Sequence, residues 1–208
     1  MVLPLFEKRS YWQLFFPLIV VIIILGIQIL DGNKLALLDY QRENIFNGQW
    51  WRLVSGHFVH MTWMHMMLNL AGFVVIWLIF KNILDQKIWW LLTLGSMLGV
   101  DVGLLIFHPE VKWYVGLSGV LHGLFAAGAI FQIRLYGVRG IIYLIFLILK
   151  LFWEQFNGSL PGSAELTGAR VIIEAHLYGA IGGSITMLIL IMVSKACAKN
   201  ININQKSA

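Results

Sequence analysis

Long apolar runs recur along the chain and constrain its fold more than any other feature. Six runs occur, at about 11–30, 63–80, 88–107, 118–135, 140–153 and 170–194. A membrane-crossing helix needs about 20 mostly apolar residues, because the hydrocarbon core is about 30 Å thick. The composition agrees, since 59% of the 208 residues are hydrophobic and only 12% are charged. We therefore expect an all-α membrane protein with six transmembrane helices, forming one domain over residues 1–208.

Lysines and arginines are divided unevenly between the two ends of these six helices. One side holds nine of them: Lys8, Arg9, Lys81, Lys87, Arg134, Arg139, Lys195, Lys199 and Lys206. The other side holds six: Lys34, Arg42, Arg52, Lys112, Lys150 and Arg170. The positive-inside rule assigns the richer side to the cytoplasm. We therefore expect both termini to be cytoplasmic and the helix at 118–135 to start near the external surface. The net charge of +5 does not come from a continuous block of basic residues, so it does not indicate nucleic-acid binding.

The polar connections differ in character. The longest, at 31–62, mixes aromatic residues with arginine, a combination suited to the headgroup interface, so we expect a structured, partly embedded loop. The segment 154–168 is expected to be flexible. Cys197 is the single cysteine, which excludes an intrachain disulfide and a cysteine-rich metal site. No cofactor is expected.

A glycine-flanked serine begins the fourth apolar run, in Gly116-Leu117-Ser118-Gly119. The first backbone N–H groups of a helix have no intrahelical partner, so a serine there has donors beside it that can stabilise a developing negative charge. Ser118 is therefore a candidate nucleophile. The alternative is helix packing, which such small-residue patterns serve more often.

His176 interrupts the last apolar run, about 9 Å along a helix that starts near Arg170. Small residues recur every four positions on its helix, which lets a neighbouring helix approach closely. They are Ala175, Gly179 and Gly183, and the serine helix offers Gly119 and Gly123. If these faces pack together, His176 can reach Ser118 as a general base. The alternative is a lone histidine bonded to a backbone carbonyl.

His65 and Asn69 are four residues apart on the second apolar run and share one helix face. Both can donate hydrogen bonds to an oxyanion. The alternative is a polar pair that stabilises helix packing. A metal site at His57, His60 and His65 is disfavoured, because the spacing takes His65 off the shared face and no His-Glu-x-x-His motif is present.

Together these residues resemble the rhomboid family of intramembrane serine proteases. The Gly116-Leu117-Ser118-Gly119 turn is similar to the family's nucleophile motif, and Ala175-His176-x-x-Gly179-x-x-x-Gly183 to its catalytic-histidine helix. His65-x-x-x-Asn69 is similar to the helix 2 motif, and Trp51-Arg52 to the first-loop pair. All four motifs occur in the family's order over about residues 42 to 190.

The resemblance implies a rhomboid-like bundle and a serine–histidine dyad without a third acid. Ser118 would attack the scissile carbonyl, and His176 would take its proton and return it to the leaving amine. The Ser118 backbone N–H, His65 and Asn69 would hold the oxyanion. The cavity would open to the external side, with the fifth helix and the segment after it controlling substrate entry.

Leu121-His122-Gly123 narrows the resemblance to the rhombosortase branch. That branch implies membrane-protein substrates with a C-terminal Gly-Gly motif, an apolar helix and a basic tail, in the inner membrane of a Gram-negative bacterium. His122 lies four residues after Ser118 on the same face and could be the base itself. We prefer the interpretation in which His122 packs against or bonds to His176, because His176 carries the matching family motif.

The remaining polar residues receive structural interpretations. Asp101 is expected to pair with a neighbour or to tune a cavity, and Arg52 to brace the first loop. Glu174 points to a different helix face from the candidate base. Glu154 and Glu165 are expected to be solvated.

Two other functions compete with proteolysis. A catalytically silent rhomboid-like protein could bind transmembrane helices, although a pure binder needs none of the four candidate site residues. A transporter or proton relay could use Asp101, Glu174 and the histidines, although the acids form no evident face and no paired broken helices mark a midplane site.

Overall fold

The computed structural model describes residues 13–30 and 33–206. Ten helices and two short strands lie within these residues: α1 (Phe15–Ile29), α2 (Asn33–Leu38), β1 (Tyr40–Gln41), α3 (Arg42–Phe46), α4 (Arg52–Ser55), α5 (Trp63–Phe80), α6 (Gln86–Phe107), β2 (Trp113–Tyr114), α7 (Ser118–Tyr136), α8 (Val138–Asn157), α9 (Ser163–Thr167) and α10 (Ile173–Lys206). The predicted helix start at about Tyr11 lies outside the described residues. So do Lys8 and Arg9, as well as the side chains of Lys34 and Lys206.

Four of the helices are long and apolar enough to cross a membrane by length and composition: α5, α6, α7 and the stretch Ile173–Lys199 of α10. Helix α1 is apolar but shorter, with 15 residues. Large apolar side chains on the outer surfaces of these helices are exposed, as expected where lipid replaces water as the solvent. The described chain is therefore a mostly helical membrane bundle.

The polar connection between α1 and α5 folds into short helices. Its strand β1 pairs antiparallel with β2, which brings Tyr40 opposite Tyr114. Arg52 is buried at 3% exposure and braces this connection, because its guanidinium forms a 2.7 Å ion pair with Asp39 and a 2.7 Å hydrogen bond to the Ala36 carbonyl. The expected structured loop therefore has a buried ion pair at its centre.

Helix α7 lies inside the bundle and packs against α10 through glycine. A Cβ atom on Gly179 would lie 1.9 Å from the carbonyl oxygen of Gly119, and one on Gly183 would lie 2.2 Å from the carbonyl oxygen of Gly123. Only residues without a side chain allow backbones to approach this closely. The predicted contact between the two small-residue faces is therefore confirmed.

Helices α8 and α10 have different bounds from those predicted. Helix α8 continues to Asn157, four residues beyond the predicted end, because Glu154 packs inward instead of entering solvent. It ends before Gly158, whose φ of +81° is left-handed. Helix α10 begins at Ile173 and not at Arg170, since Gly168 (φ +76°) ends α9 and a non-helical stretch follows. The segment expected to be flexible contains α9.

Candidate active site

A glycine turn presents Ser118 as the first residue of α7. Gly116 has a φ of +113°, and a Cβ atom there would lie 2.8 Å from Nε2 of His65, so the turn requires glycine. The Gly116 N–H donates to the Gly56 carbonyl at 3.1 Å, and the Tyr114 hydroxyl donates to the Gly116 carbonyl at 2.6 Å. Burial raises the pKa of Tyr114, so its hydroxyl stays protonated and remains a donor.

His176 contacts the serine across the α7–α10 interface. Its Nε2 lies 3.0 Å from the Ser118 Oγ, which is a hydrogen-bond distance. Because α10 begins at Ile173, His176 lies within the first turn of the helix, three residues nearer the helix start than predicted. The imidazole is buried, with 5% exposure. A hydroxyl and a buried imidazole at this distance are the pair that nucleophilic catalysis requires.

Glu154 lies on the other side of this imidazole, and the prediction that it is solvated is wrong. It is 2% exposed, and its two carboxylate oxygens lie 3.0 and 3.1 Å from Nδ1 of His176. An acid therefore contacts the candidate base, whereas the family resemblance implied none. Among the predicted solvated residues, Glu165 on α9 is exposed.

Lys150, one turn before Glu154 on α8, completes the cluster. Its Nζ lies 2.8 Å from a carboxylate oxygen of Glu154, 2.5 Å from Nε2 of His122 and 3.2 Å from Nδ1 of His176. The ligand atoms of His122, Glu154 and His176 lie within 4.8 Å of one another, close enough to hold a metal ion, and the lysine ammonium contacts all three residues. Within the described ranges, no comparable group includes His57, His60 or His65.

His122 has a partner on each ring nitrogen. Its Nδ1 lies 2.7 Å from the backbone carbonyl oxygen of Ser118, and its Nε2 faces Lys150. The ring stacks on that of His176, with centroids 4.2 Å apart and an interplanar angle of 15°. Both nitrogens therefore have partners other than the Ser118 hydroxyl. These contacts give no support to the alternative in which His122 is the base.

A cavity of about 230 Å³ opens onto these groups. Its lining includes Ser118, His176, His65, Asn69, Lys150 and Glu154. The Asn69 side-chain amide donates one of its hydrogens to the His65 carbonyl at 3.0 Å. The ring of His65 stands edge-on to that of His60, with centroids 4.9 Å apart. The two candidate oxyanion donors therefore share one cavity with the candidate nucleophile and base.

Other predicted residues lie away from this cavity. Trp51 donates from Nε1 to the Leu37 carbonyl at 3.0 Å, and neither Trp51 nor Arg52 lines the cavity. Asp101 lies 3.3 Å from Nε2 of His57, so it has the neighbour that the sequence led us to expect. Glu174 does not line the cavity either.

Glu154 and Lys150 are the site residues that sequence reasoning missed. Their signal was a spacing of four, which places both on one helix face with the buried Leu147 and Leu151. Two charged residues on the inward stripe of an apolar helix indicate a functional cluster. The predicted helix ended at Trp153, so Glu154 was not recognised as part of this helix face.

Comparison with known proteins agrees with this architecture. A family model of the Rhomboid domain matches residues 47–193, which include α5, α6, α7, α8 and the serine and histidine motifs. The chain belongs to the rhomboid family. This rhomboid is therefore a multi-pass membrane protein, because its family and its apolar helices both indicate one.

One curated relative is similar to this chain over about two thirds of its length. The protein named "Putative rhomboid protease YdcA" from Bacillus subtilis (strain 168) is 23% identical over 150 residues. The alignment covers 67% of this chain and 66% of the relative, so the chain spans slightly less than two thirds of that protein's length.

Proposed function

We propose that this rhomboid is an intramembrane serine endopeptidase that uses Ser118 as nucleophile and His176 as general base and acid. The observation that carries the proposal is the 3.0 Å distance between Ser118 Oγ and His176 Nε2 inside a cavity of the bundle. Membership of the rhomboid family supports it, as does the printed name of the Bacillus relative.

The reaction would proceed by acyl transfer. Ser118 Oγ attacks the scissile carbonyl carbon while His176 Nε2 takes the hydroxyl proton. Collapse of the tetrahedral intermediate breaks the C–N bond, and His176 gives the proton to the leaving amine. Water then attacks the acyl-enzyme while His176 Nε2 takes a proton from it. The bond between the acyl carbon and Ser118 Oγ breaks, His176 gives the proton to Oγ, and the new carboxyl terminus and free Ser118 are released.

The oxyanion would be held by three donors: the Ser118 backbone N–H, Nε2 of His65 and the second amide hydrogen of Asn69. Gly116 supports the role of His65, because the absence of a Cβ leaves Nε2 beside the serine turn. Each pre-organised donor of this kind contributes about 2.7–4 kcal/mol to transition-state stabilisation.

We propose substrates of the rhombosortase type, in which a C-terminal Gly-Gly motif precedes an apolar helix and a basic tail. The Leu121-His122-Gly123 motif supports this, and so does the size of the cavity. At about 230 Å³ it is smaller than the roughly 300–1,000 Å³ of typical ligand pockets, which suits residues without side chains at the scissile bond. Residues of the segment after α8, including Leu160, Thr167 and Ile172, line the cavity and would control entry.

We propose six membrane crossings, by α1, α5, α6, α7, α8 and α10, with both termini in the cytoplasm. Helix α8 has 20 residues, about 30 Å, and its outward apolar side chains are exposed. The distribution of lysine and arginine supports the orientation. The proposed location is the inner membrane of a Gram-negative bacterium.

The test is co-expression with a membrane protein that ends in a Gly-Gly motif, an apolar helix and a basic tail. Wild type should release the ectodomain, and Ser118→Ala should not. Equal processing by both forms would contradict the proteolytic mechanism. Retention of tight substrate binding without cleavage by wild type would favour a helix-binding function.

A further inference from the structure

We propose that Glu154 and Lys150 are positioning residues for the base, with Glu154 holding His176 in the tautomer that can accept the serine proton and Lys150 holding Glu154. The proposal rests on the proposed Ser118–His176 chemistry. It assigns a function to an ion pair on α8, between the partly buried Lys150 and the buried Glu154, that the two-residue mechanism does not use.

The tautomer of His176 decides whether it can act as the base. A neutral imidazole carries one proton, so Nε2 can accept from Ser118 only when that proton is on Nδ1. Two groups of opposite character face Nδ1: the Glu154 carboxylate at 3.0 and 3.1 Å, which accepts, and the Lys150 ammonium at 3.2 Å, which donates. Glu154 favours the active tautomer, and Lys150 alone would favour the inactive one.

The Lys150 protons are directed mainly to acceptors other than His176. Lys150 has shorter contacts elsewhere, at 2.8 Å to Glu154 and 2.5 Å to Nε2 of His122. His122 can accept at Nε2 because its own proton lies on Nδ1, which faces the Ser118 carbonyl oxygen at 2.7 Å. Lys150 therefore has better acceptors than His176 Nδ1, which leaves that nitrogen to donate to Glu154.

The resulting proton arrangement is consistent throughout the cluster. Ser118 donates to His176, His176 donates to Glu154, Lys150 donates to Glu154 and His122, and His122 donates back to the Ser118 backbone. Each of these five hydrogen bonds pairs a donor with an acceptor. The network also links α8 to both the hydroxyl and the backbone carbonyl of Ser118.

The negative charge of Glu154 also stabilises the protonated form of His176. Glu154 is 2% exposed, and a buried carboxylate needs a partner to remain ionised. Lys150 provides a positive charge one helical turn away. When His176 takes the serine proton it becomes an imidazolium, and the carboxylate beside Nδ1 stabilises that positive charge, as the acid does in soluble serine protease triads.

The experiment measures the rate at which a fluorophosphonate labels Ser118 in detergent-solubilised full-length protein. Glu154→Gln keeps the shape but removes the charge, and we expect about a 10²- to 10⁴-fold lower rate, by comparison with amide replacement in soluble triads. Glu154→Asp retains the charge and should restore part of the rate. Lys150→Met should lower it less than Glu154→Gln. Glu165→Gln, an exposed acid on α9, is the matched control and should label at the wild-type rate.

A spectroscopic measurement separates positioning from folding. In protein with ¹⁵N-labelled histidine, the His176 signals, assigned by their loss in His176→Ala, should show the proton on Nδ1 in wild type. A proton on Nε2 would overturn the proposal even if Glu154→Gln fails to fold. If fluorophosphonate does not label Ser118 in wild type, the proposed function is refuted. If it labels wild type, and labels Glu154→Gln at a rate within twofold of wild type, this inference alone is refuted.

Discussion

The closest approach of α7 and α10 predicts what one methyl group does to the site. In Gly179→Ala, the new Cβ would lie 1.9 Å from the Gly119 carbonyl oxygen, whereas ordinary contact begins at 3.4 Å. The atom it meets is backbone, so the helices must separate by about 1.5 Å to relieve the clash. Ser118 directly precedes Gly119, and His176 lies three residues before Gly179. The same separation therefore lengthens the 3.0 Å Ser118–His176 contact beyond hydrogen-bond distance.

The expected effects are large and measurable. A misplacement of about 1 Å can cost about 10²-fold in rate, and overpacking costs about 1–3 kcal/mol of stability. Gly179→Ala should therefore label with fluorophosphonate at least about 10²-fold more slowly and unfold at a lower temperature in detergent. Gly26→Ala on α1, where a Cβ would meet nothing within 4 Å, is the control and should match or exceed the stability of wild type. If Gly179→Ala is labelled at the wild-type rate, the close contact between α7 and α10 does not set the Ser118–His176 distance.

Three further predictions concern the surroundings of the site. Arg52→Ala should lower the free energy of unfolding by about 3–5 kcal/mol, because it leaves Asp39 buried without its cation; thermal unfolding checks this, and an unchanged midpoint would contradict it. Tyr114→Phe removes the 2.6 Å hydrogen bond to Gly116 and should cost about 0.5–1.5 kcal/mol and slow the labelling of Ser118; equal stability and rate would show that the bond does not hold the turn. A membrane-impermeant maleimide should label the exposed Cys197 from the cytoplasmic side, and labelling from the external side would reverse the proposed orientation.

The helical architecture and the meeting of the two small-residue faces could be read from local patterns. Apolar runs of helix length indicated the membrane helices, and residues recurring every four positions marked the α7–α10 contact. Helix α5 occupies the predicted range 63–80. These features depend on residues close together in sequence, so periodicity reveals them.

Long-range contacts were not accessible in this way. Glu154 reaches His176 over 22 residues, and Lys150 reaches His122 over 28. A charged residue after an apolar run is normally a helix end. The spacing of Lys150 and Glu154 could have placed both on the inward face of α8, but only the tertiary packing shows that Glu154 contacts His176. The two-residue strands β1 and β2 likewise pair residues more than 70 positions apart, as in Tyr40 and Tyr114. Their length gives no recognisable strand pattern.

The most direct test of the central claim is to locate the fluorophosphonate adduct by mass spectrometry after labelling full-length protein in its membrane. We expect an adduct on Ser118 in wild type, none in His176→Ala, and a retained adduct in His122→Ala. An adduct that survives His176→Ala but disappears in His122→Ala would contradict the central claim.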